Sequence, residues 1–218
     1  MKYKCLILDH DDTVFDSTKS IHYPAFLETL SQLRSGQKPI SYEAFTHHCH
    51  TYGFQDLCDR IYAFTNEEMK IEYKIWKSYT QSRLPLPFEG WKYILNEHLK
   101  QGGYVVVISH SESSEIKRDY LTHFQFEPHL IYGWELGEAF RKPETYPLED
   151  AFIKLHLSTH ECLVIDDMQL GLQMAQKLDV NFAWAAWSHL KNGIIVEKEN
   201  PSILYFESID GLRDYLEY

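Results

Sequence analysis

A chain of 218 residues with 21 Lys+Arg against 32 Asp+Glu, a formal charge of −11, has room for one compact domain or a core with one modest insertion, and excludes a large multidomain assembly. The negative balance argues against a nucleic-acid groove or an anionic membrane surface as the main partner, so a binder of phosphate must rely on local cations. With 44% apolar, 24% charged and 15% aromatic residues, the composition is that of a globular protein rather than a disordered or collagenous one.

The first element is an apolar run, Tyr3 to Leu8, which meets acid at Asp9. So short a run predicts neither a secretory signal nor a membrane anchor, no run of about 20 apolar residues follows, and the expected location is cytoplasmic. Residues 17–84 then carry helical patterns and no strand, and read as an inserted helical domain. Leu27, Leu30 and Leu33 form one stripe, and Leu57, Ile61 and Phe64 another. Thr65 and Glu68 have the spacing of a capping box opening a helix with Met69, Tyr73 and Trp76 on one face. All three stripes read as core packing. A helix begun at Ser41 carries His47, His48, Cys49 and His50. Neighbouring positions on it diverge and no second ligand pair follows at standard spacing, so these histidines are expected to line the insert's surface or face solvent rather than bind zinc. Lys19, Arg60, Lys70 and Lys74 read as solvated charge.

The return is marked by Leu84-Pro85-Leu86-Pro87, whose prolines resist helix and sheet and suit a hinge. A helix over about 89–100, stopped by Gly102 and Gly103, precedes an apolar run from Tyr104 to Ile108. Further runs follow at Leu130 to Tyr132, Leu163 to Ile165 and Phe182 to Ala186, with a helix over 147–157 that has Pro147 in its first turn. Near-continuous apolar strands alternating with helices are the pattern of a parallel sheet covered on both faces. The fold class is therefore α/β, a doubly wound core over 1–16 and 85–218 with the helical insert over 17–84. Cys5, Cys49, Cys58 and Cys162 show no paired spacing for zinc or redox work and are read as reduced.

In open α/β sheets ligands collect at the carboxyl ends of the strands. The first run ends in Asp9-His10-Asp11-Asp12-Thr13, the second in Ser109, the fourth in Asp166-Asp167, and Lys142-Pro143 precedes the fourth. Singly these have plain readings: solvated acids in a turn, a turn-bonding serine, a helix N-cap, a surface lysine. Together they bring acids, a hydroxyl and a lysine to one crevice.

This ordered set resembles the haloacid dehalogenase superfamily, which carries D-x-D-x-[TV] after strand one, Ser or Thr after strand two, a downstream lysine and an acidic pair after strand four. The resemblance covers essentially the whole chain, because the insert is similar to the cap of the phosphoglycolate phosphatase and β-phosphoglucomutase subgroup. It departs at Asp12, often glycine, and at Met168, where serine is common; Asp12 is expected to alter the turn that opens and closes the cap.

The resemblance implies Asp9 as a nucleophile that forms an aspartyl-phosphate, and Asp11 as acid on the leaving alcohol and then base on water. Asp11 is expected to stay protonated, its pKa raised by a closed cap and neighbouring carboxylates. Ser109 would bond a phosphoryl oxygen and Lys142 would supply charge. Mg²⁺ would be held by Asp9, the Asp11 carbonyl and an acid at 166 or 167. Because Gly171 fits the acid-Asp-Ser-x-x-Gly form, the direct ligand is expected to be Asp167, with Asp166 orienting Lys142 or a bound water. The implied activity is a Mg²⁺-dependent phosphatase of a small phosphorylated metabolite, with no nucleic-acid, membrane or obligate protein partner. A phosphomutase would return the phosphoryl group to a sugar hydroxyl instead of water. A receiver-like phosphoacceptor would place its acidic pair after the first strand, the reverse of the order here, and dehalogenase chemistry has no use for Asp11.

Overall fold

The computed structural model describes residues 1–189 and 203–217. Its strands are β1 (Cys5–Leu8), β2 (Phe15–Asp16), β3 (Leu86–Pro87), β4 (Tyr104–Ile108), β5 (Leu130–Tyr132), β6 (Cys162–Asp166), β7 (Asn181–Ala185) and β8 (Leu204–Phe206). Six of them form a parallel sheet in the order β5-β4-β1-β6-β7-β8. The α/β reading holds, with β8 added beyond the five strands foreseen.

The continuous apolar runs follow from burial on both faces. Leu6 and Leu8 of β1 point into a cluster with Trp91, Ile94, Ile116 and Leu212. Cys5 and Ile7 point the other way, to Leu148, Ala151, Leu172 and Ala175. Alternate residues therefore feed two cores, supplied on one side by the helices Trp91–Lys100, Ser113–Phe124 and Ile209–Leu216 and on the other by Tyr146–Leu155 and Gln169–Lys177. Gly102, at φ 78°, follows the first of these helices in a conformation that favours glycine. The described part of the 85–218 assignment omits 190–202 and 218, which lie outside the described residues.

Between β2 and β3 every regular element is helical: α1 (Tyr23–Leu33), α2 (Tyr42–Tyr52), α3 (Phe54–Asp56) and α4 (Asn66–Ser82), with π-helical turns at Thr18–His22 and Leu57–Ile61. These helices bury their own apolar cluster of Phe26, Leu30, Phe45, Leu57, Cys58, Tyr62 and Phe64. The Thr65–Glu68 capping box is formed, and Ser41 caps α2 by accepting from the Ala44 N–H. Two stripe readings need correction. Ile61 is 50% exposed, and Tyr73 and Trp76 face a cavity instead of this cluster.

Leu86–Pro87 was expected to resist sheet, yet it pairs antiparallel with Phe15–Asp16. In a two-stranded ribbon one side of each strand is unpaired, so the missing N–H of Pro87 costs no ladder bond. The Phe88 N–H extends the ribbon by donating to the Val14 carbonyl at 3.0 Å. Among the described residues no helix is long and apolar enough to cross a membrane.

Candidate active site

The turn after β1 is tightly held. The Val14 and Phe15 N–H groups both donate to the His10 carbonyl (3.1 and 3.0 Å), and the indoles of Trp91 and Trp187 both donate to the Thr13 carbonyl (2.8 and 3.0 Å). Asp12 sits at φ 56°, a left-handed conformation that aspartate tolerates better than most residues with a side chain. Its carboxylate is fully engaged: Oδ1 accepts from the N–H groups of Ser17 (3.3 Å) and Thr18 (3.1 Å), and Oδ2 accepts from His189 Nε2 (2.8 Å). The acid that departs from the family pattern thus fastens the first turn of the helical segment to the core.

Lys142 precedes Pro143 across a cis peptide bond, and its side chain is wholly buried. Nζ donates to Asp9 Oδ1 and to Asp166 Oδ2, each at 2.7 Å. Burial works against the ammonium, but the two carboxylates prevail and raise its pKa above the ordinary lysine value. The remaining oxygen of Asp166, Oδ1, accepts from the Met168 N–H at 2.8 Å. That bond serves the helix start where the family's serine is missing.

Close packing fixes Asp166 further, since a Cβ at Gly171 would run into its carboxylate. Replacing Gly171 by Ala is expected to displace Asp166 and loosen Lys142, lowering turnover about 10–100-fold, as is usual when the residues supporting a site are disturbed. Steady-state kinetics checks this; unchanged turnover would mean that Asp166 need not hold its place.

Asp167 lies beside this trio, its Oδ1 accepting from Thr13 Oγ1 (3.1 Å) and its Oδ2 facing His50 Nε2 (3.1 Å). Burial and the neighbouring Asp9, Asp166 and Asp12 push its pKa well up. Asp9 is pushed up to about 7, chiefly by burial, although Lys142 pulls it back. Asp9, Asp166 and Asp167 each offer a carboxylate oxygen, all within 4.8 Å of one another. Buried oxygens carrying excess negative charge fit a hard divalent cation.

Asp11 belongs to a second network. Its Oδ1 accepts from Ser17 Oγ (2.7 Å) and His22 Nε2 (2.9 Å), and its Oδ2 from Ser111 Oγ (2.6 Å). Burial would raise the Asp11 pKa, but His22 and these hydrogen bonds hold it well below the usual carboxylate range. The expectation of an Asp11 kept protonated by its surroundings is therefore corrected: three donors stabilise the anion. His22 feels the reciprocal pull, with burial outweighed by Asp11 so that its pKa is raised. Trp76 Nε1, which can only donate, bonds His22 Nδ1 at 3.0 Å. Protonating Nδ1 would forfeit that bond, so the Trp76 contact favours neutral His22 with its proton on Nε2, against the pull of Asp11.

These groups meet at a cavity of about 350 Å³ lined by Asp11, Asp12, Lys142 and Asp167 from the core side and by His22, His50, Tyr73 and Trp76 from the helical segment. Asp9, Ser109 and Asp166 are buried and do not line it. Ser109 is the least connected of the foreseen residues, its Oγ accepting from the Ser111 N–H at 3.1 Å. Sequence reasoning missed Ser111, His22 and His189, which stand two or more residues outside the motifs. It also placed His50 on a surface, whereas His50 is buried against Asp167. Outside the cavity, Glu112 accepts from Lys77 Nζ at 2.9 Å and from Tyr73, and Arg118 Nη1 donates to the Thr80 carbonyl at 2.8 Å, tying α4 to the sheet side.

A doubly wound sheet with acids and a lysine converging under a helical segment defines a class of α/β hydrolases. The family model for haloacid dehalogenase-like hydrolases matches residues 6–185, and the chain belongs to that family. No curated protein matches the sequence. Among solved structures, the chain is similar to a predicted phosphatase from Clostridium acetobutylicum, with a TM-score of 0.77, 15% identity and 100% of both chains covered. It is also similar to a predicted phosphoglycolate phosphatase from Haemophilus somnus, with a TM-score of 0.73, 14% identity and 99% of both chains covered. CbbY from Rhodobacter sphaeroides, solved with xylulose-(1,5)bisphosphate, aligns with a TM-score of 0.66 and 14% identity over 84% of this chain and 85% of that one. At these identities the likeness is one of fold.

Proposed function

We propose that the chain is a Mg²⁺-dependent phosphatase of a small phosphorylated metabolite, working through an aspartyl-phosphate on Asp9. The observation that carries this reading is the buried Lys142 ammonium, bonded at once to Asp9 and Asp166 beneath the cavity. Its similarity in fold to the predicted phosphatases supports it, as does the bisphosphate bound to CbbY. A cavity of about 350 Å³ suits a compact monoester. Residues 17–84 act as the cap over it, hinged at Asp16–Ser17 and Pro85–Pro87, and shield the ester from bulk water.

Lys142 engages Oδ1 of Asp9, leaving Oδ2 to attack phosphorus in line with the leaving oxygen. Ser109 donates its hydroxyl to a phosphoryl oxygen. Asp11, an anion in the free protein, takes up a proton as the dianionic ester binds beside it, delivers that proton to the departing alcohol, then takes one from the water that cleaves the acyl phosphate and frees Asp9. A protonated Asp11 is compatible with its neighbours because Ser17 and Ser111 are hydroxyls, able to turn from donor to acceptor. Mg²⁺ held by Asp9, Asp167 and the Asp11 carbonyl would neutralise the dianionic ester that a carboxylate must approach.

Asp166 is committed to the Lys142 ammonium and the Met168 N–H and does not line the cavity, whereas Asp167 lines it and meets only the Thr13 hydroxyl and the His50 imidazole, which favours Asp167 as the direct ligand. Asp167→Ala is accordingly expected to raise the Mg²⁺ concentration for half-maximal turnover more than Asp166→Ala does, and the opposite order would assign the ion to Asp166. The proposal as a whole is tested with a panel of phosphorylated metabolites and an aryl phosphate. Phosphate release that needs Mg²⁺ and stops on chelation is the expected result; no release from any of them, or release indifferent to the chelator, would sink it.

A further inference from the structure

Beyond this reading, we propose that the protein holds a second divalent cation, of the zinc type, on Asp12, His50, Asp167 and His189. The four residues come from four separated places: the turns after β1, β6 and β7, and α2 of the helical segment. Each offers one ligand atom, and the four atoms lie within 4.8 Å of one another. The side chains are nearly closed to solvent, at 3% exposure for Asp12, 7% for His50, 2% for Asp167 and 10% for His189.

The spacing brackets what a tetrahedral ion requires. Metal–ligand bonds of about 2.0–2.1 Å place neighbouring ligand atoms roughly 3.3 Å apart. Here His189 Nε2 is 2.8 Å from Asp12 Oδ2, and His50 Nε2 is 3.1 Å from Asp167 Oδ2 and 4.0 Å from Asp12 Oδ2. The two imidazoles meet edge to face with centroids 4.1 Å apart, and the Nε2 atoms of both approach the same oxygen, Asp12 Oδ2. His50 Nδ1 is buried without a hydrogen-bond partner, and the ring's polar contacts run through Nε2.

Charge points the same way. Asp12 and Asp167 stand beside Asp9 and Asp166, yet the buried Lys142 ammonium is committed to the latter two. Two imidazoles and two carboxylates form a borderline donor set that suits Zn²⁺ better than Mg²⁺, which prefers oxygen and retained waters. Asp167 is common to this group and to the all-oxygen group with Asp9, so its two oxygens can serve two neighbouring ions, as bridging carboxylates do in two-metal sites. Because His50 belongs to the helical segment and the other three ligands to the core, the ion would also staple one to the other.

The test is direct metal binding to the full chain with Mg²⁺ present in excess. One equivalent of Zn²⁺ is expected by elemental analysis after dialysis, and Co²⁺ in its place is expected to give the intense visible absorption of a tetrahedral nitrogen–oxygen site. His50→Gln and His189→Gln keep a side-chain donor toward the carboxylates while removing the imidazole. Each is expected to weaken Zn²⁺ binding more than about 100-fold, exceeding the usual effect of losing only a supporting residue, with circular dichroism showing the fold intact. Asp9→Asn should leave Zn²⁺ binding in place. Failure of the wild-type chain to hold Zn²⁺, Gln variants that bind as tightly as wild type, or loss of the ion in Asp9→Asn would each overturn the proposal. None of these readouts depends on phosphatase turnover.

Discussion

Asp9→Asn is expected to lower phosphatase turnover by at least about 10⁴-fold, in keeping with the loss of a nucleophile elsewhere. The amide is nearly isosteric but cannot attack phosphorus, and it can still accept from Lys142 through its carbonyl. The fold should therefore survive: the Asp9 N–H bond to the Ile165 carbonyl at 2.9 Å belongs to the backbone and is untouched. Rapid quench with a ³²P-labelled monoester gives the decisive reading. Wild type should accumulate acid-stable, hydroxylamine-labile label in single turnover, and the variant none. Near-normal turnover by a folded Asp9→Asn protein would remove Asp9 from its role.

Lys142→Met should damage both stability and rate. Its ammonium is the cation shared by two buried carboxylates, and removing one partner from a buried charge cluster typically costs about 3–5 kcal/mol. For a chain of this size that is a fall in Tm of roughly 6–20 °C. Turnover should drop about 10²–10³-fold, the usual scale for loss of a preorganised charge at the reacting group. The deficit should also depend on pH in a definite direction. Burial holds the Asp9 pKa at about 7 even with Lys142 present; without the ammonium it must rise further above its unfolded value. A carboxyl whose folded pKa is raised destabilises when ionised and ceases to do so when protonated. The variant's stability deficit should therefore be largest above pH 7 and shrink as the pH falls below it. Urea unfolding on both sides of that value is the check, and a deficit independent of pH would show that charge is not its source.

The sheet was legible because burial on both faces forces apolar residues into every strand position, a pattern visible from Tyr3 to Leu8 without knowing what lies on either side. The motif residues were legible because they stand at strand ends, and strand ends are close in space wherever the chain places them. What escaped was set by contacts across the fold. His50 is separated from its neighbours Asp167 and His189 by more than a hundred residues, so no spacing rule along the helix could expose its surroundings. Tyr73 and Trp76 have the periodicity of a packed stripe, but periodicity identifies a face and not what that face meets. Asp11 was read from its carboxylate neighbours; the donors that decide its charge, Ser17, His22 and Ser111, lie outside the motif that drew attention to it. Pro87 was judged by the bond it cannot make, while a two-stranded ribbon never asks for that bond.

The pairing of Phe15–Asp16 with Leu86–Pro87 means that the chain leaves and re-enters the core along a single ribbon. Two independent linkers would let a lid swing and twist over a wide range of poses, each of which must be given up on closure. Hydrogen-bonded side by side, these linkers would bend together, and residues 17–84, taken as the proposed cap, would be confined largely to one axis of swing. On that reading most of the orientational disorder would be surrendered once, when the protein folds, rather than on every catalytic cycle. Closure over the proposed small ester would then draw little from the ester's own binding energy and leave more of it for drawing phosphorus onto Asp9.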